Sequence, residues 1–378
     1  MVMYKLTISD FNKVYSELGC DKTGVKILSK KSQINTIFIK NLHVGAANIL
    51  KQDALSIGAD LAVPMGVIVA REKYVNAILI ATNKQLELLS RKELAQPFGL
   101  KQIAKELKKF IFPPLKPTQI MGVINANDDS FYQNSRFNGQ AAILKIKELI
   151  KDGASIVDLG AVSSRPGSVA VSSQEELARI EPILDAIYKD KLYEKAQFSI
   201  DSYEPLVIQK ALDCGFTIIN DITGLSNDKV AILASKYNAK VVIMHMQNTP
   251  QTMQDEPFYE DVIEEVHTFF KERIQKAESF GVKEIVLDVG IGFGKNLQHN
   301  LTLLKNLEHF RYFGHELLIG ASRKSMINSI VPSNVEQRLP GTLALHLNAI
   351  KNGASIVRCH DVKEHFQAIQ VQEAILNS

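Results

Sequence analysis

The sequence predicts an α/β protein in which a (β/α)8 barrel, the TIM-barrel architecture, follows a small N-terminal α/β region. The first observation is a rhythm from residue 118 onward, where short aliphatic or β-branched runs alternate with amphipathic helical stretches, as in the βα units of a parallel sheet. The second is that residues 118–378 hold eight such runs, and eight strands in roughly 250 residues are typical of a (β/α)8 barrel. The third is a proline-rich segment just before the rhythm begins.

That segment, FPPLKPTQ at residues 112–119, marks the predicted domain boundary. Proline cannot continue a helix and biases the preceding residue towards extended backbone, so a linker is expected here. The predicted domains are residues 1–112 and residues 118–378. In the first, helical spacing occurs in AANILKQDALSIG and KQLELLSRKELA, and strand-like runs occur in LAVPMGVIVA and VNAILIAT. No catalytic constellation is visible in that domain, and its sequence indicates no role.

The second domain supplies the predicted barrel strands in order. They are QIMGVINA, SIVDLG, QFSIDS, TIIND, KVVIMHM, EIVLDV, ELLIGAS and SIVRCH. Helical patterns such as GQAAILKIKELIKDGA lie between them, and four glycines that precede a strand are typical helix C-caps: Gly153, Gly215, Gly281 and Gly353. An open doubly wound sheet is the alternative, because strand order is invisible in a sequence.

Every predicted barrel strand ends in a polar or charged residue, and the carboxyl ends of the strands are where such barrels place their active sites. These ends hold Asn125, Asp158, Asp201, Asn220 with Asp221, His245, Asp288, Ser322 to Lys324, and Arg358 with His360. We expect Asp158 and Asp221 to cap the following helices. The other acids and amides, opposite cations, suit a flat heterocycle with alternating donors and acceptors. Arg358 and His360 point the same way along one strand, and with Arg165 they suit a phosphate group.

The stretch VLDVGIGFGK, residues 286–295, resembles a phosphate-binding loop but fails both common templates. A Walker loop needs a glycine where Val289 stands and a serine or threonine where Asn296 stands. The third glycine of the dinucleotide fingerprint would fall on Lys295. The glycines therefore belong to another kind of turn.

Composition excludes several classes of protein. The formal charge of +3 is too small to indicate nucleic-acid binding, and no apolar run approaches membrane-spanning length. Three cysteines, Cys20, Cys214 and Cys359, lack metal-ligand spacing and fit a reducing compartment. No signal peptide is visible, so a cytoplasmic protein is expected. His245 and His299 are expected to be structural.

Eight segments in order resemble the motifs of dihydropteroate synthase. They are IMGVINANDDSF, DLGAVSSRPGS, SIDSYEP, IINDITGL, IMHMQNTPQTMQ, LDVGIGFGK, GASRKSMI and IVRCHDV. The resemblance implies a (β/α)8 transferase of folate biosynthesis. Such an enzyme joins 6-hydroxymethyl-7,8-dihydropterin pyrophosphate to p-aminobenzoate, gives 7,8-dihydropteroate and pyrophosphate, and uses Mg²⁺.

The resemblance also implies roles for single residues. The pterin would be bound by Asp201, Asn220, Met244, Asp288, Phe293 and Lys324. The pyrophosphate would meet Asn125, Arg358 and His360, with Asn125 as the Mg²⁺ ligand. The p-aminobenzoate would meet Phe131, Ser164, Arg165, Pro166 and Ser325. Of these, the residues expected to act in the reaction itself are Asp201, Lys324, Arg358 and His360.

The sequence departs from the family pattern in the loops after the first, second, fifth and sixth barrel strands. Asn127, Asp128, Ala161, Val162, Ser164, Gln247 and Val289 stand where the family usually has other residues. The departures concern lid geometry and sensitivity to sulfonamides. Two alternatives follow, namely a non-catalytic pterin-binding homologue and a methyltetrahydrofolate:corrinoid methyltransferase. Members of the family commonly form homodimers, so a homodimer is expected.

Overall fold

The computed structural model describes residues 2–4, 6–126, 135–162, 171–249 and 252–377, with the backbone alone for residues 135–139. The chain divides into two compact units, one of Met1–Pro114 with Ala374–Ser378 and one of Leu115–Glu373. The last five residues therefore group with the first unit. In the described ranges, no helix combines the length and the apolar character needed to span a membrane.

The first unit is built on a three-stranded antiparallel sheet. Its elements are α1 (Phe11–Glu17), α2 (Lys22–Ser32), β1 (Ile34–His43), α3 (Val44–Ser56), β2 (Asp60–Ala62), β3 (Tyr74–Thr82), α4 (Asn83–Lys92) and α5 (Leu100–Leu107). The strand order is β1-β3-β2. Along β3 every second side chain is buried, because successive side chains of a strand point to opposite faces. Leu79 of that face packs in one core with Leu50 of α3 and Leu86 of α4.

The structure corrects one predicted strand of this unit and adds another. Of LAVPMGVIVA only the first residues are extended, and the strand ends at Ala62. Pro64 has no N–H for a ladder, and Gly66 has a φ of 91°, which favours glycine and ends an extended run. β1, with ten residues, was not predicted from the sequence.

The second unit is a closed barrel of eight parallel strands, in the order β10-β11-β4-β5-β6-β7-β8-β9, so the predicted (β/α)8 fold is confirmed and the open sheet is excluded. The strands are β4 (Gln119–Asn125), β5 (Ile156–Gly160), β6 (Gln197–Asp201), β7 (Ile218–Asp221), β8 (Lys240–Met244), β9 (Ile285–Asp288), β10 (Glu316–Ile319) and β11 (Ile356–Cys359). The helices between and after them are α6 (Ser135–Lys151), α7 (Ser173–Lys189), α8 (Pro205–Asp213), α9 (Asp228–Tyr237), α10 (Val262–Ser279), α11 (Leu297–Lys305), α12 (Ser325–Ile330), α13 (Leu339–Lys351) and α14 (Val362–Asn377).

The four predicted glycine caps are confirmed by their backbone. Gly153, Gly215, Gly281 and Gly353 have φ values of 109°, 89°, 84° and 101°, in the region that L side chains rarely adopt. Gly153 also has no room for a side chain, because an added Cβ would lie 2.5 Å from the ring of Phe366. These glycines end the helices so that the chain can enter the next strand.

The barrel interior determines where the polar strand ends point. One layer of apolar side chains fills it: Met121, Ile156, Ile218, Val242, Val286, Leu318 and Ile356. Side chains two positions apart on a strand share a face. Asp158, Asn220, Asp288 and Arg358 each follow a member of this layer by two residues, so they point inward, above the layer, at the carboxyl end of the barrel. We call this region the mouth.

Candidate functional site

The mouth contains a buried network of ion pairs centred on Arg358. The guanidinium donates from Nε to Oδ2 of Asp158 and from Nη2 to Oδ2 of Asp201, both at 2.6 Å. Asn220 donates to the same Oδ2 of Asp158 at 3.1 Å. Burial alone would lower the pKa of Arg358, but Asp158 and Asp201 outweigh it and raise that pKa above its ordinary value. The guanidinium therefore carries its charge inside the barrel.

Asp158 does not cap a helix, contrary to the expectation from the sequence. Its side chain is fully buried and accepts hydrogen bonds from Arg358 and Asn220. Its second oxygen, Oδ1, has no partner among the described residues. The signal that could have identified it is its position two residues after the inward-facing Ile156, which matches the position of Asn220 after Ile218.

The Asp221 side chain accepts hydrogen bonds from backbone N–H groups, but these groups belong to a turn and not to a helix. Its carboxylate accepts from the N–H of Thr223 at 2.7 Å and from the N–H of Leu225 at 3.0 Å. The next helix, α9, has Asn227 as its N-cap. The expectation of a helix cap is therefore wrong in its detail, because the turn after β7 separates Asp221 from the helix.

Burial also shifts the pKa of Asp201. Desolvation raises the pKa of this carboxyl to about 7, although the nearby Arg358 opposes the shift. Asp158 adds to the rise, because a second carboxylate close by disfavours another negative charge. Asp201 is thus an acid whose charge depends strongly on which cation or donor faces it.

Asp288 and Lys324 lie at the carboxyl ends of β9 and β10, the strands that precede Arg358's strand β11 in the barrel. Asp288 is buried, and its Oδ1 accepts from the N–H of Gly290 at 2.8 Å. Lys324 donates to the carbonyl oxygen of Ile291, and its ammonium lies 4.4 Å from the ring centroid of Phe293. Burial lowers the pKa of Lys324 to about 8, and Asp288 opposes that shift. Lys324 therefore remains a cation at neutral pH.

The glycine-rich turn after β9 is held by an internal lysine. The Lys295 ammonium lies 2.9 Å from Nδ1 of His245 and donates to the carbonyl oxygens of His245, Gly290 and Phe293 at 3.2, 3.1 and 2.9 Å. Burial lowers the pKa of Lys295 to about 7. Gly290 is required because a Cβ there would lie 1.9 Å from the carbonyl oxygen of His245. Lys295 is therefore committed to protein acceptors, as the failed Walker template predicts.

The two histidines that were expected to be structural are so. His245 is buried, contacts the Lys295 ammonium, and has its pKa lowered by burial to about 2. His299 is the third residue of α11 and takes part in a capping box with Asn296. Neither histidine is free to act as a base.

The segments after β10 and β11 are joined by polar contacts. Ser322 Oγ and His360 Nδ1 lie 2.9 Å apart. Arg323 forms a two-point ion pair with Asp361, with N–O distances of 2.9 and 2.6 Å. Ser325 begins the six-residue helix α12.

The structure places the predicted site residues as follows. The mouth collects Asp201, Asn220, Asp288, Phe293, Lys324 and Arg358. Met244, at the end of β8, is buried and pairs in register with Asp288. Asn125, at the end of β4, is half-buried and pairs in register with Gly160. His360 is exposed just beyond β11. Four predicted residues lie outside the described residues: Phe131, Ser164, Arg165 and Pro166.

The side chains that could coordinate a metal ion indicate how this protein would bind Mg²⁺. Among the described residues, no group of three or more His, Cys, Asp or Glu side chains could hold a metal ion. Asn125 offers one amide oxygen at the mouth. Mg²⁺ commonly keeps several waters and binds through one or two protein oxygens together with substrate phosphates. These residues therefore fit an ion that arrives with a phosphorylated substrate and do not form a cage of their own.

Comparisons with known proteins agree on one family. A family described as pterin binding enzyme matches residues 121–360. The bifunctional dihydropteroate synthase/dihydropteroate reductase of Helicobacter pylori is 40% identical over 376 residues, which are 99% of each chain. The dihydropteroate synthase of Escherichia coli is 40% identical over 267 residues, 70% of this chain and 94% of that one. The crystal structure of the Clostridium difficile dihydropteroate synthase, obtained in the presence of pteroic acid, has a TM-score of 0.64 at 39% identity and covers 70% of this chain and 98% of that chain.

Proposed function

The chain belongs to the dihydropteroate synthase family of pterin-binding enzymes, and from this premise we propose how its residues carry out the reaction. The protein is a transferase of folate biosynthesis. It condenses 6-hydroxymethyl-7,8-dihydropterin pyrophosphate with p-aminobenzoate to form 7,8-dihydropteroate and pyrophosphate. The observation that carries the residue-level proposal is the mouth itself, where buried carboxylates and an amide face two half-buried cations, Arg358 and Lys324.

We assign the pterin to the side of the mouth that holds Asp288, Asn220 and Lys324. Asp288 uses Oδ1 for Gly290, which leaves Oδ2 to accept from the 2-amino group or the adjacent ring N–H. Asn220 donates to Asp158, so its carbonyl oxygen faces the ligand as an acceptor. Lys324 supplies donors to the ring carbonyl. Phe293, next to Lys324, and Met244 provide the apolar surface for the flat ring.

Arg358 and His360 act on the pyrophosphate. The C–O bond to the methylene carbon breaks, the electron pair leaves with pyrophosphate, and a pterin methylene cation remains. The amine nitrogen of p-aminobenzoate then attacks this carbon with its lone pair and loses a proton to solvent. Asp201 stabilises the positive charge as it develops, and Arg358 stabilises the departing negative charge. Mg²⁺, held by Asn125 and phosphate oxygens, would neutralise part of the charge on the leaving pyrophosphate.

The p-aminobenzoate is assigned to Ser325 and to the loops after β4 and β5. The Ser325 hydroxyl follows Lys324 and offers a donor to the carboxylate. Phe131, Ser164, Arg165 and Pro166 are proposed from the family pattern alone.

The experiment is a measurement of pyrophosphate release from the pterin pyrophosphate, with and without p-aminobenzoate, in the presence of Mg²⁺. Release should be tied to formation of dihydropteroate, and a sulfonamide should compete with p-aminobenzoate. A protein that binds the pterin but gives no product would overturn the residue-level proposal. Release that is independent of p-aminobenzoate would overturn the assignment of the second substrate.

A second activity is favoured by one observation. The Helicobacter pylori relative, whose name includes dihydropteroate reductase, matches 99% of the chain, while the Escherichia coli synthase accounts for 70%. We infer that the full chain also reduces dihydropteroate, by adding a hydride to C6 and a proton to N5. The electron pair must come from a nicotinamide or a reduced flavin, the two common hydride donors. Oxidation of NADPH or NADH that depends on dihydropteroate, measured with and without added flavin, tests this, and the absence of oxidation in both conditions would reject it.

We also propose a cytoplasmic homodimer. The cysteines Cys20, Cys214 and Cys359 are all free thiols, which suits a reducing compartment. Light scattering of the full chain measures the oligomeric state, and a mass of one chain at micromolar concentration would contradict the dimer.

A further inference from the structure

Two buried histidines form a hydrogen-bonded pair behind the segments that follow β10 and β11. His346 of α13 and His365 of α14 are 0% and 1% exposed. Nδ1 of His346 lies 2.8 Å from Nε2 of His365. At one end of the pair the N–H of Ala321 donates to Nε2 of His346 at 3.0 Å. At the other end Nδ1 of His365 lies 2.6 Å from the carbonyl oxygen of Asp361.

The partners at the two ends determine the protons on both rings. A backbone N–H only donates, so Nε2 of His346 must be the bare acceptor and Nδ1 must carry the proton. A carbonyl oxygen only accepts, so Nδ1 of His365 must carry the proton and Nε2 must be the acceptor. The two conclusions agree, since Nδ1–H of His346 then donates to Nε2 of His365. The chain of hydrogen bonds runs in one direction with both rings neutral.

Burial keeps both rings in this neutral state. Desolvation, with the neighbouring His365 and Lys324 adding to it, lowers the pKa of His346 to about 3. Desolvation also lowers the pKa of His365, while Asp361 and Glu364 oppose that shift. A charged ring would have to donate from both nitrogens. Nε2–H of a charged His346 would then face the N–H of Ala321, and Nε2–H of a charged His365 would face the Nδ1–H of His346.

The pair joins two segments that both carry site residues. Ala321 lies three residues before Lys324, in the segment after β10. Asp361 directly follows His360 in the segment after β11. The N–H of Ala321 and the carbonyl oxygen of Asp361 are therefore tied to each other through two rigid rings.

The segment after β10 needs such support because its backbone is strained. Arg323 has a φ of 55°, a conformation that costs an ordinary residue free energy and persists only when its surroundings impose it. Its N–H donates to Oγ1 of Thr342 at 2.9 Å, and its carbonyl oxygen accepts from Nη1 of Arg338 at 3.1 Å. Lys324 follows directly, so any relaxation at Arg323 would move the Lys324 ammonium.

We propose that His346 and His365 are positioning residues, which as a neutral hydrogen-bonded pair hold the segment of Lys324 and Ser325 against the segment of Arg358 and His360. The inference rests on the proposed function for the roles of those four residues. It assigns to the pair a share in binding p-aminobenzoate and the pterin, without contact to either.

A pair that served packing alone would behave differently, and the chain offers a matched control. His267 of α10 and His309, in the 3-10 segment Leu307–Phe313, also pair, with Nδ1 of His267 3.0 Å from Nε2 of His309. Neither of their elements carries a residue of the mouth. Loss of this pair should lower stability and leave substrate affinity unchanged.

The test compares His346→Leu, His346→Gln and His309→Leu in the full-length protein. Hydrogen exchange of the Ala321 amide is measured by mass spectrometry, together with the melting temperature and the KM for each substrate. His346→Leu should speed exchange at Ala321 at least tenfold and raise the KM for p-aminobenzoate about tenfold, which corresponds to about 1.4 kcal/mol. His346→Gln keeps an acceptor near the Ala321 N–H and should recover part of both effects. His309→Leu should lower the melting temperature without either effect.

Exchange at Ala321 that is unchanged in His346→Leu, or changed equally in His309→Leu, would overturn the proposal. So would KM values within twofold of the wild type. If His346→Leu does not fold, the test uses His346→Gln and His365→Asn instead. Each of these variants keeps one hydrogen bond of the series between Ala321 and Asp361, and each should still speed hydrogen exchange at the Ala321 amide. If the wild type makes no dihydropteroate, the proposed function is wrong. The comparison of hydrogen exchange at Ala321 would still test whether His346 and His365 hold the two segments together.

Discussion

Asp158→Asn is the most informative single substitution, because this carboxylate supports two site residues at once. The side chain is fully buried. Its Oδ2 accepts from Arg358 at 2.6 Å and from Asn220 at 3.1 Å. An asparagine is nearly the same shape but has no charge, and it presents an N–H₂ group where one of the two oxygens stood. The amide oxygen can take the Oδ2 position that accepts from both donors, and the N–H₂ group then replaces Oδ1, which has no partner among the described residues. The change therefore chiefly removes a counterion of Arg358.

The magnitude follows from these contacts. Removing one partner of a buried ion pair costs about 3–5 kcal/mol. Arg358 keeps Asp201 at 2.6 Å, so we expect a loss near the lower end, about 3 kcal/mol. For a unit of this size that lowers the melting temperature by roughly 6–12 °C. Asn220 keeps its acceptor in this arrangement, but a hydrogen bond to a neutral amide oxygen is weaker than one to a carboxylate, so Asn220 is held less firmly and pterin binding should weaken several-fold.

The assay combines calorimetric titration of a pyrophosphate-free pterin with thermal unfolding. Asp221→Asn is the matched control, since Asp221 is equally buried but accepts from the turn of Thr223 and Leu225. The control should lose stability and retain pterin affinity. If Asp158→Asn bound the pterin within twofold of the wild type and melted within 2 °C of it, the network would not support the site.

Three further changes have expected outcomes. Arg358→Ala should weaken the affinity for the pyrophosphate-bearing pterin by about a hundredfold, because charge-assisted hydrogen bonds to the pyrophosphate are lost. Calorimetry should show a much smaller loss of affinity for the pyrophosphate-free pterin. Equal losses would contradict the assignment of Arg358 to the pyrophosphate. Lys295→Met should lower the free energy of unfolding in urea by about 2–4 kcal/mol, because three buried carbonyl oxygens lose their donor, while the exposed Lys305→Met should change it little. Burial, with His267 adding to it, lowers the pKa of His309 in the folded protein to about 4, whereas the unfolded chain leaves this histidine at its ordinary pKa near 6.5. Between these two pH values the unfolded chain therefore binds more protons than the folded protein. The free energy of unfolding of the wild type should therefore decrease as the pH is lowered from about 6.5 to 4. His309→Leu should remove about 1.4 kcal/mol per pH unit from that slope. An identical slope in both proteins would refute the pKa shift.

Much of the catalytic unit was predictable from local pattern. Short aliphatic runs that alternate with amphipathic helical stretches, glycine at the helix ends and the length of the unit together indicate a (β/α)8 barrel. The polar residues at the ends of those runs indicate that Asp288 and Arg358 share the mouth with Asn220. The failed Walker template correctly predicted that Lys295 is not a phosphate-binding lysine. The inference about the mouth holds because a parallel barrel brings the carboxyl ends of all its strands to one face.

The first unit was less predictable. β1 was missed and the strand beginning at Leu61 was drawn too long. Short apolar runs do not reveal by themselves whether a partner strand lies beside them. The pairing of β1 with β3, with Phe38 opposite Ile78, depends on residues far apart in the chain. The proposed second activity rests on a relative that matches 99% of the chain and not on any motif within this unit.

By itself, the sequence determined the barrel fold and which chemistry collects at the carboxyl ends of its strands. Only the tertiary structure decided how those residues share their hydrogen bonds. Asp158 was expected to cap a helix, and closure of the barrel instead brings it to Arg358, 200 residues later in the chain. His346 and His365 stand on different helices, and their pairing appears only when both helices pack behind the last two strands. Such pairings depend on the distance between groups in space, which a strand's own periodicity does not encode.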